Sequence, residues 1–279
     1  MSKERVEILI EALPYIREFY EKVFVIKYGG SAQEEIKSFC EDIVLLKYIG
    51  INPVIVHGGG QEINKIMNKL QIKTDFYEGL RITDEKTMEI VTMVLAGKVN
   101  KQIVMFVNDA GGRAIGMSGV DGKLIKAKKK TTNDINLGYV GEIIDINVLP
   151  IKTISNAGYI PIISPIGFGE DGKNYNINAD TVASEIAISL KAEKLIYLTD
   201  TDGINDENNN KVSSITIEKA EDFIKSNIVQ GGMIPKLEGA ICAVKVGVKK
   251  CHIINGRKKH ALLEEVFTKS GVGTEICLN

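Results

Sequence analysis

The strongest constraint on this chain is a pattern that occurs twice near its start. Val23-Phe-Val-Ile26 is an unbroken apolar run that ends at Lys27-Tyr-Gly-Gly-Ser31, and a helical apolar pattern follows from about Glu34 to Tyr48. Pro53-Val-Ile-Val56 begins the same plan again: an apolar run, the glycines of His57-Gly-Gly-Gly60, and a helical pattern from about Gln61 to Leu70. Apolar runs without polar alternation read as strands buried on both faces. Two strand–glycine turn–helix units in succession predict an α/β fold, with a parallel sheet covered by helices.

The rest of the chain extends that plan. Apolar spacing over residues 1–20 predicts a helix, kinked or broken at Pro14. A long helix is expected from Glu85 to Asn108, with a possible break at Gly97. Residues 113–148 mix β-branched segments, glycines and charges, and suggest short antiparallel strands. Further strands are expected at Ile160–Ile163, Leu195–Leu198 and His252–Ile254, and helices at 179–190, 232–246 and 261–268. Asp206–Asn210 reads as a hairpin loop. With no linker and no fixed repeat, one continuous sheet with two functional halves is expected.

Composition narrows the function classes. The 279 residues, 44% of them hydrophobic, suffice for a large core. A formal net charge of −1 supplies no global field for nucleic acid or a membrane surface, so neither is expected as a partner. The lysines at 126, 128, 129 and 130 read as a solvated edge strand. Cys40, Cys242, Cys251 and Cys277 form no C-x-x-C pair and read as reduced thiols of a cytoplasmic protein. The first residues lack a signal-peptide apolar region, and no run of about eighteen apolar residues is present.

Three strand ends carry groups suited to a ligand. In open parallel sheets, ligands sit beyond the carboxyl ends of strands. Lys27-x-Gly29-Gly30 places a cation beside glycines whose N–H groups can approach an anion, although a plain turn with a surface lysine explains it equally well. Gly58-Gly59-Gly60 is harder to ascribe to packing and favours anion binding. His57 is more plausibly a structural hydrogen-bonding partner than a base. Asn176-Ile-Asn178-Ala-Asp180 places two alternating asparagines before Asp180, whose plainer explanation is a helix N-cap.

Several motifs are absent. There is no G-x-x-x-x-G-K-[ST] phosphate loop and no protein-kinase signature. Gly167-Phe-Gly-Glu-Asp-Gly172 matches the dinucleotide pattern, but the residues after it look extended, so it reads as a glycine hairpin.

Taken in order, the motifs resemble the amino acid kinase family. They are Lys27-x-Gly-Gly-Ser31, Val56-His-Gly-Gly-Gly60, Gly79-Leu-Arg81 with Thr83-Asp84, Asn176-x-Asn-Ala-Asp180, Leu198-Thr-Asp200 through Gly203, and Gly231-Gly-Met-Ile-Pro-Lys236. The resemblance spans nearly the whole chain and is strongest to the members that phosphorylate N-acetyl-L-glutamate. It implies an open three-layer αβα sandwich with a largely parallel sheet of about eight strands. It further implies a half that binds the acyl-amino-acid (21–175) and a half that binds ATP with Mg²⁺ (176–279). Lys27 and Lys236 match the family's transition-state lysines, and Asp180 the carboxylate that orients them. Gly59, Gly60, Arg81 and Asn176 match positions that hold the acceptor. Gly29, Gly30, Thr199, Asp200 and Gly203 match positions that hold phosphate or nucleotide. Glu78 departs from the family pattern, in which many members have Asn.

The resemblance also bears on regulation. Arginine-inhibited members are homohexamers with an extra N-terminal helix, and residues 1–20 resemble one. His252, Glu265 and Gly271 match the family's L-arginine site, although a solvated helix face is the plainer account of Glu265. Alternatives within the fold are kinases of aspartate, glutamate, carbamate or UMP. An alternative outside catalysis is an arginine-binding regulator.

Overall fold

Phe24 to Tyr28 are all buried, which requires a strand covered on both faces. The computed structural model describes residues 3–29, 35–132, 135–268 and 271–278. From the start, the elements are α1 (Lys3–Phe19), β1 (Val23–Tyr28), α2 (Ile36–Tyr48), β2 (Asn52–His57), α3 (Gly60–Lys69), β3 (Phe76–Tyr77) and β4 (Leu80–Arg81). Next come α4 (Glu85–Thr92), a π-helical segment (Met93–Val99), α5 (Asn100–Asp109), β5 (Ala114–Ser118), β6 (Ile125–Lys129), β7 (Gly141–Ile146), α6 (Leu149–Asn156) and β8 (Ile160–Ser164). A hairpin of β9 (Ile166–Phe168) and β10 (Asn174–Asn176) precedes α7 (Ala179–Leu190) and β11 (Lys194–Thr199). The remainder is β12 (Ile204–Asn205), β13 (Lys211–Val212), β14 (Ser214–Thr216), α8 (Ile217–Lys225), α9 (Met233–Val246), β15 (Lys250–Asn255), α10 (Ala261–Phe267) and β16 (Thr274–Cys277).

The main sheet has 8 strands in the order β14-β16-β15-β11-β1-β2-β8-β5. Every ladder in it is parallel except β15–β16. The expected α/β class and largely parallel sheet are what the chain adopts. From β1 the chain first runs outward through β2 and later returns to start β11 on the other side. The β1–β11 boundary is therefore the switch point where such sheets open a crevice. Alternate residues of β1 enter different cores. Phe24, Ile26 and Tyr28 pack with residues of α2, α4, α5 and α10, whereas Val25 packs with residues of α7, α8 and α9. Lys27 shares the face of Val25, because side chains alternate along a strand.

Several local expectations need correction. Helix α1 runs through Pro14 without interruption. Pro14 lies on its exposed side, where the carbonyl left unbonded by the missing N–H can meet water. Gly97 does not break the long helix. The chain stays helical from Glu85 to Asp109 and widens to a π-helix over Met93–Val99. This is the one helix among the described residues long and apolar enough to span a membrane, and its Val91, Val94, Leu95, Val99 and Ile103 are buried in the core. Of residues 113–148, β6 and β7 pair antiparallel as expected, but β5 joins the main sheet in parallel. The lysine-rich β6 is not an edge strand: it lies between β9 and β7 in a second sheet of order β10-β9-β6-β7. Glu78 and Gly79 both have positive φ, 48° and 77°, in the exposed turn joining β3 to β4. Asn tolerates that backbone better than Glu does, so the departure at Glu78 concerns a turn.

Candidate active site

The carboxyl ends of β1, β2 and β11 and the first turns of α3, α7 and α9 meet at the switch point. Asp180 is its centre. Asn178, not Asp180, caps α7: its Oδ1 accepts from the N–H groups of Asp180 and Thr181 at 2.7 and 3.3 Å. That frees the Asp180 carboxylate to face two ammonium groups. Lys27 Nζ lies 2.9 Å from Oδ1, and Lys236 Nζ donates to Oδ2 at 3.0 Å. The contact at Oδ1 is an ion pair without the alignment of a hydrogen bond. Lys236, in the first turn of α9, also donates to the Gly232 carbonyl at 3.0 Å.

All three side chains are largely shielded from water, with exposures of 10% for Lys27, 13% for Lys236 and 7% for Asp180. Burial pushes the Asp180 carboxyl up, but the two ammonium groups outweigh burial and hold it below the usual carboxylate range. The trio carries one net positive charge in a low-dielectric setting, which suits it to hold an anion that the carboxylate alone would repel.

The glycine turn after β2 sits beside this trio. Gly58 donates its N–H to the Tyr28 carbonyl at 3.0 Å, tying the turn to the end of β1. Packing does account for Gly59, contrary to expectation: a Cβ there would lie 2.5 Å from Leu95 Cδ2 of the π-helical segment. At Gly60 a Cβ would point toward Arg81 Nη2, 4.0 Å away, and α3 starts there with no side-chain cap. Its first N–H groups are thus open to an anion.

Arg81 is buried, yet among the described residues it has no carboxylate partner. Nη2 donates to Asn64 Oδ1 at 2.6 Å and to the Gly60 carbonyl at 3.3 Å, and the guanidinium lies over the Phe76 ring at 4.7 Å. Asn176 Nδ2 donates to Thr83 Oγ1 at 3.1 Å, and Thr83 Oγ1 donates to the Arg81 carbonyl at 2.7 Å. Gly60, Arg81, Thr83 and Asn176 therefore form one connected set. Asn178, by contrast, is spent on capping. Asn64 was not read as a site residue, and the wholly buried Thr83, quoted in one motif with Arg81, was given no role of its own.

His57 is completely buried. Its Nδ1–H donates to the Gly58 carbonyl at 2.9 Å, and Nε2 accepts from Asn100 Nδ2 at 3.1 Å. Burial pulls its pKa down to about 4, so the ring is neutral. With both nitrogens engaged it holds the glycine turn and is not placed to take a proton.

On the other side of the crevice, Thr199 ends β11, and its Oγ1 donates to Asp200 Oδ1 at 3.3 Å. Gly203 has φ +123°, and a Cβ there would meet Thr274 Oγ1 at 2.6 Å, so this position is closed to other residues. A cavity of about 640 Å³ opens between the β12–β13 hairpin and the start of α9. Gly203 lines it, with Asp202, Lys211, Val229, Met233 and Lys258, whereas Thr199 and Asp200 do not. Lys258 is paired with Asp202 at 2.7 Å. Lys211 and Lys258 went unnoticed because neither the lone Lys211 nor the basic run Arg257-Lys258-Lys259 carries a ligand-binding pattern. Gly29 is buried at the end of β1, and Gly30 lies outside the described residues. Among the described residues no cluster of His, Cys, Asp and Glu is arranged to hold a metal ion.

His252, Glu265 and Gly271 come together at a separate cavity. Glu265 is buried, not on a solvated helix face. Its Oε1 accepts from His252 Nδ1 at 2.6 Å, and its Oε2 accepts from the N–H groups of Val272 and Gly273 at 2.6 and 3.1 Å. Burial raises the Glu265 carboxyl, but these donors outweigh it and hold the group ionised, while burial keeps His252 neutral. Gly271 has φ +57°, and a Cβ would press on both carboxylate oxygens. The three line a cavity of about 610 Å³ with Lys194 and Glu275, and α1 contributes Tyr15, Glu18 and Phe19 to its wall.

Comparison with known proteins places the chain in a family. The model of the amino acid kinase family matches residues 22–255. Acetylglutamate kinase of Kosmotoga olearia is 57% identical over 279 residues, covering 99% of this chain and 98% of the relative. Acetylglutamate kinase of Aquifex aeolicus is 54% identical over 292 residues, covering 99% and 98%. Among solved structures, N-acetylglutamate synthase of Neisseria gonorrhoeae complexed with coenzyme A and N-acetyl-glutamate superposes with a TM-score of 0.89 at 25% identity. That alignment covers 98% of this chain but only 63% of the synthase.

Proposed function

Since the chain belongs to the amino acid kinase family and is, like its close relatives, a kinase, we propose that it transfers the γ-phosphoryl group of ATP to the side-chain carboxylate of N-acetyl-L-glutamate. The product is N-acetyl-L-glutamyl 5-phosphate, a step of arginine biosynthesis. The observation that carries the reading is the buried trio in which Asp180 is bracketed by Lys27 at 2.9 Å and Lys236 at 3.0 Å.

A carboxylate nucleophile has a reference pKa of about 4.3 and is already ionised at neutral pH. No general base is needed, which fits a neutral, fully bonded His57. The obstacle is repulsion between an anionic nucleophile and an anionic phosphoryl group, so the protein contributes positioning and charge. A carboxylate oxygen attacks the γ-phosphorus, the bond to the β,γ-bridging oxygen breaks, and ADP leaves. Lys27 and Lys236 meet the phosphoryl oxygens, and Asp180 holds both lysines at a fixed spacing. Gly29 and the turn at Gly59 and Gly60 offer N–H groups to the anions, and Gly30 is a further phosphate-binding position in this reading. Thr199, Asp200 and Gly203 hold the nucleotide beside its cavity. Mg²⁺ enters bound to ATP as part of that substrate and neutralises β- and γ-phosphate charge.

The pocket chemistry favours an acylated amino acid. Arg81, with no carboxylate partner among the described residues, suits the α-carboxylate, which carbamate lacks. Asn64, Arg81, Thr83, Asn176 and the glycines carry no negative charge. A free α-ammonium, as in aspartate or glutamate, would find no counter-charge among them, and an acylated nitrogen needs none.

The second cavity supports feedback inhibition by L-arginine. Glu18, Glu265 and Glu275 supply charge for a guanidinium, and Lys194 supplies it for a carboxylate. Tyr15, Glu18 and Phe19 wall that cavity, and residues 1–20 serve in our reading as the oligomerisation helix of a homohexamer. Residues 21–175 bind the acceptor, and 176–279 bind ATP and arginine. Cys40, Cys242, Cys251 and Cys277 form no disulfide, which fits a reducing, cytoplasmic setting.

A coupled ADP-release assay with N-acetyl-L-glutamate, with and without arginine, tests substrate and regulation together. Turnover that arginine suppresses is expected. ADP release with carbamate or UMP but none with N-acetyl-L-glutamate would overturn the acceptor assignment.

A further inference from the structure

We infer that Tyr197 is a positioning residue that sets the spacing of the charged trio, and that Gly239 exists to let it do so. The inference rests on the reading of Lys27, Asp180 and Lys236 as the groups that serve phosphoryl transfer. Tyr197 is fully buried in β11 and is the register partner of Lys27 in the β1–β11 ladder. Register partners in a parallel ladder face the same way, so the ring stands beside Lys27 on the face covered by α7 and α9. Its hydroxyl donates to the Asp180 carbonyl at 3.3 Å.

The same hydroxyl meets α9. A Cβ on Gly239 would lie only 2.7 Å from Tyr197 Oη. From the other side, Ser184 Oγ donates to the Gly239 carbonyl at 2.8 Å. Ser184 follows Asp180 by four residues, and Gly239 follows Lys236 by three. On a helix both spacings keep the pair on one face. The crossing of α7 and α9 is thus pinned one turn behind the Asp180–Lys236 contact. A glycine inside α9 costs helix propensity relative to alanine, and no positive φ requires it there. Close approach around the tyrosine hydroxyl explains it. Tyr197 in this way touches all three elements that carry the trio: β1 by pairing, α7 by its hydrogen bond and α9 by contact.

The test is a two-residue cycle. Gly239→Ala forces the methyl against the hydroxyl and moves α9 off α7. Tyr197→Phe removes the hydroxyl, after which the nearest neighbours of that methyl are Ser184 Cβ and Oγ at 3.5 Å, an ordinary contact. For Gly239→Ala, kcat should fall at least about tenfold, because small misplacements of reacting groups are costly. KM for ATP and for the acceptor should stay within about twofold. Tyr197→Phe should lower kcat less, and the double variant should recover to the level of Tyr197→Phe alone. A wild-type kcat in Gly239→Ala, or a double variant no better than Gly239→Ala, overturns the proposal. Crystal structures of the two Gly239→Ala variants give a readout independent of the acceptor. The Lys236–Asp180 contact should lengthen in the single variant and return in the double. If the wild-type enzyme proves not to use N-acetyl-L-glutamate, the proposed function fails while this structural comparison still decides the role of Tyr197.

Discussion

Lys236 Nζ lies 3.0 Å from Asp180 Oδ2, although the two residues are 56 positions apart and belong to different helices. The other carboxylate oxygen is held by Lys27, so one buried anion spaces two cations. A pair would be neutral; the trio keeps one positive charge, which in the proposed reaction meets the incoming phosphoryl group.

Removing Lys236 should therefore act on the transition state. For Lys236→Ala we predict a loss in kcat of about a hundredfold, near 3 kcal/mol, with little change in KM for the acceptor. Steady-state kinetics with both substrates varied checks this, and a near-wild-type kcat would remove Lys236 from the mechanism.

Asp180→Asn should reveal the electrostatic role through pH. The folded pKa of Asp180 lies below the ordinary carboxylate value, so the ionised group stabilises the fold above that value and the benefit is lost as pH falls through the folded pKa. Taking away one partner of a buried charge set should cost about 3–5 kcal/mol at neutral pH. The variant should also lose stability less steeply than wild type below about pH 4. Denaturant midpoints from pH 7 down to pH 3 check both statements; equal stability at pH 7 would contradict the first, and parallel curves the second.

Arg81 is expected to bind the acceptor equally in the ground and transition states. Arg81→Ala should raise KM for N-acetyl-L-glutamate roughly thirtyfold, about 2 kcal/mol for a charged hydrogen bond, with kcat nearly kept. Arg81→Lys should restore little, since a lysine cannot form the planar fork. A fall in kcat alone would contradict the assignment.

These residues were not equally legible in the sequence. Buried runs such as Val23–Ile26 and Pro53–Val56 announce strands because two covered faces exclude polar residues, and the α/β class follows from them. Helix α8 carries Ile217, Ala220 and Phe223 on one face yet went unread, and the edge strand β14 and its neighbour β16 are too short for any period. Asp180 looked like a cap because Asp and Asn cap equally well, and only the fold shows Asn178 taking that task. No local pattern singles out Lys236, because its partner is supplied by the crossing of α7 and α9. Glu265 looked solvated because burial by Val272 and Gly273 comes from a turn beyond its own helix.

The wall that α1 adds to the second cavity can be tested without touching the crevice. Tyr15→Ala with Glu18→Ala should raise the arginine concentration for half-inhibition at least about tenfold, the loss of one charged contact. Turnover without arginine should be unchanged. Inhibition curves for the two proteins check this, and coincident curves would detach α1 from arginine binding.

The most direct test of the central claim is hydroxylamine trapping of the acyl phosphate. Wild type and Lys236→Ala would be compared with N-acetyl-L-glutamate, glutamate, aspartate, carbamate and UMP as acceptors, with ADP release followed in parallel. Hydroxamate from N-acetyl-L-glutamate, equimolar with ADP in wild type and nearly absent in Lys236→Ala, is the expected result. ADP release without hydroxamate, or equal hydroxamate from both proteins, would contradict carboxylate phosphorylation by the Lys27–Asp180–Lys236 trio.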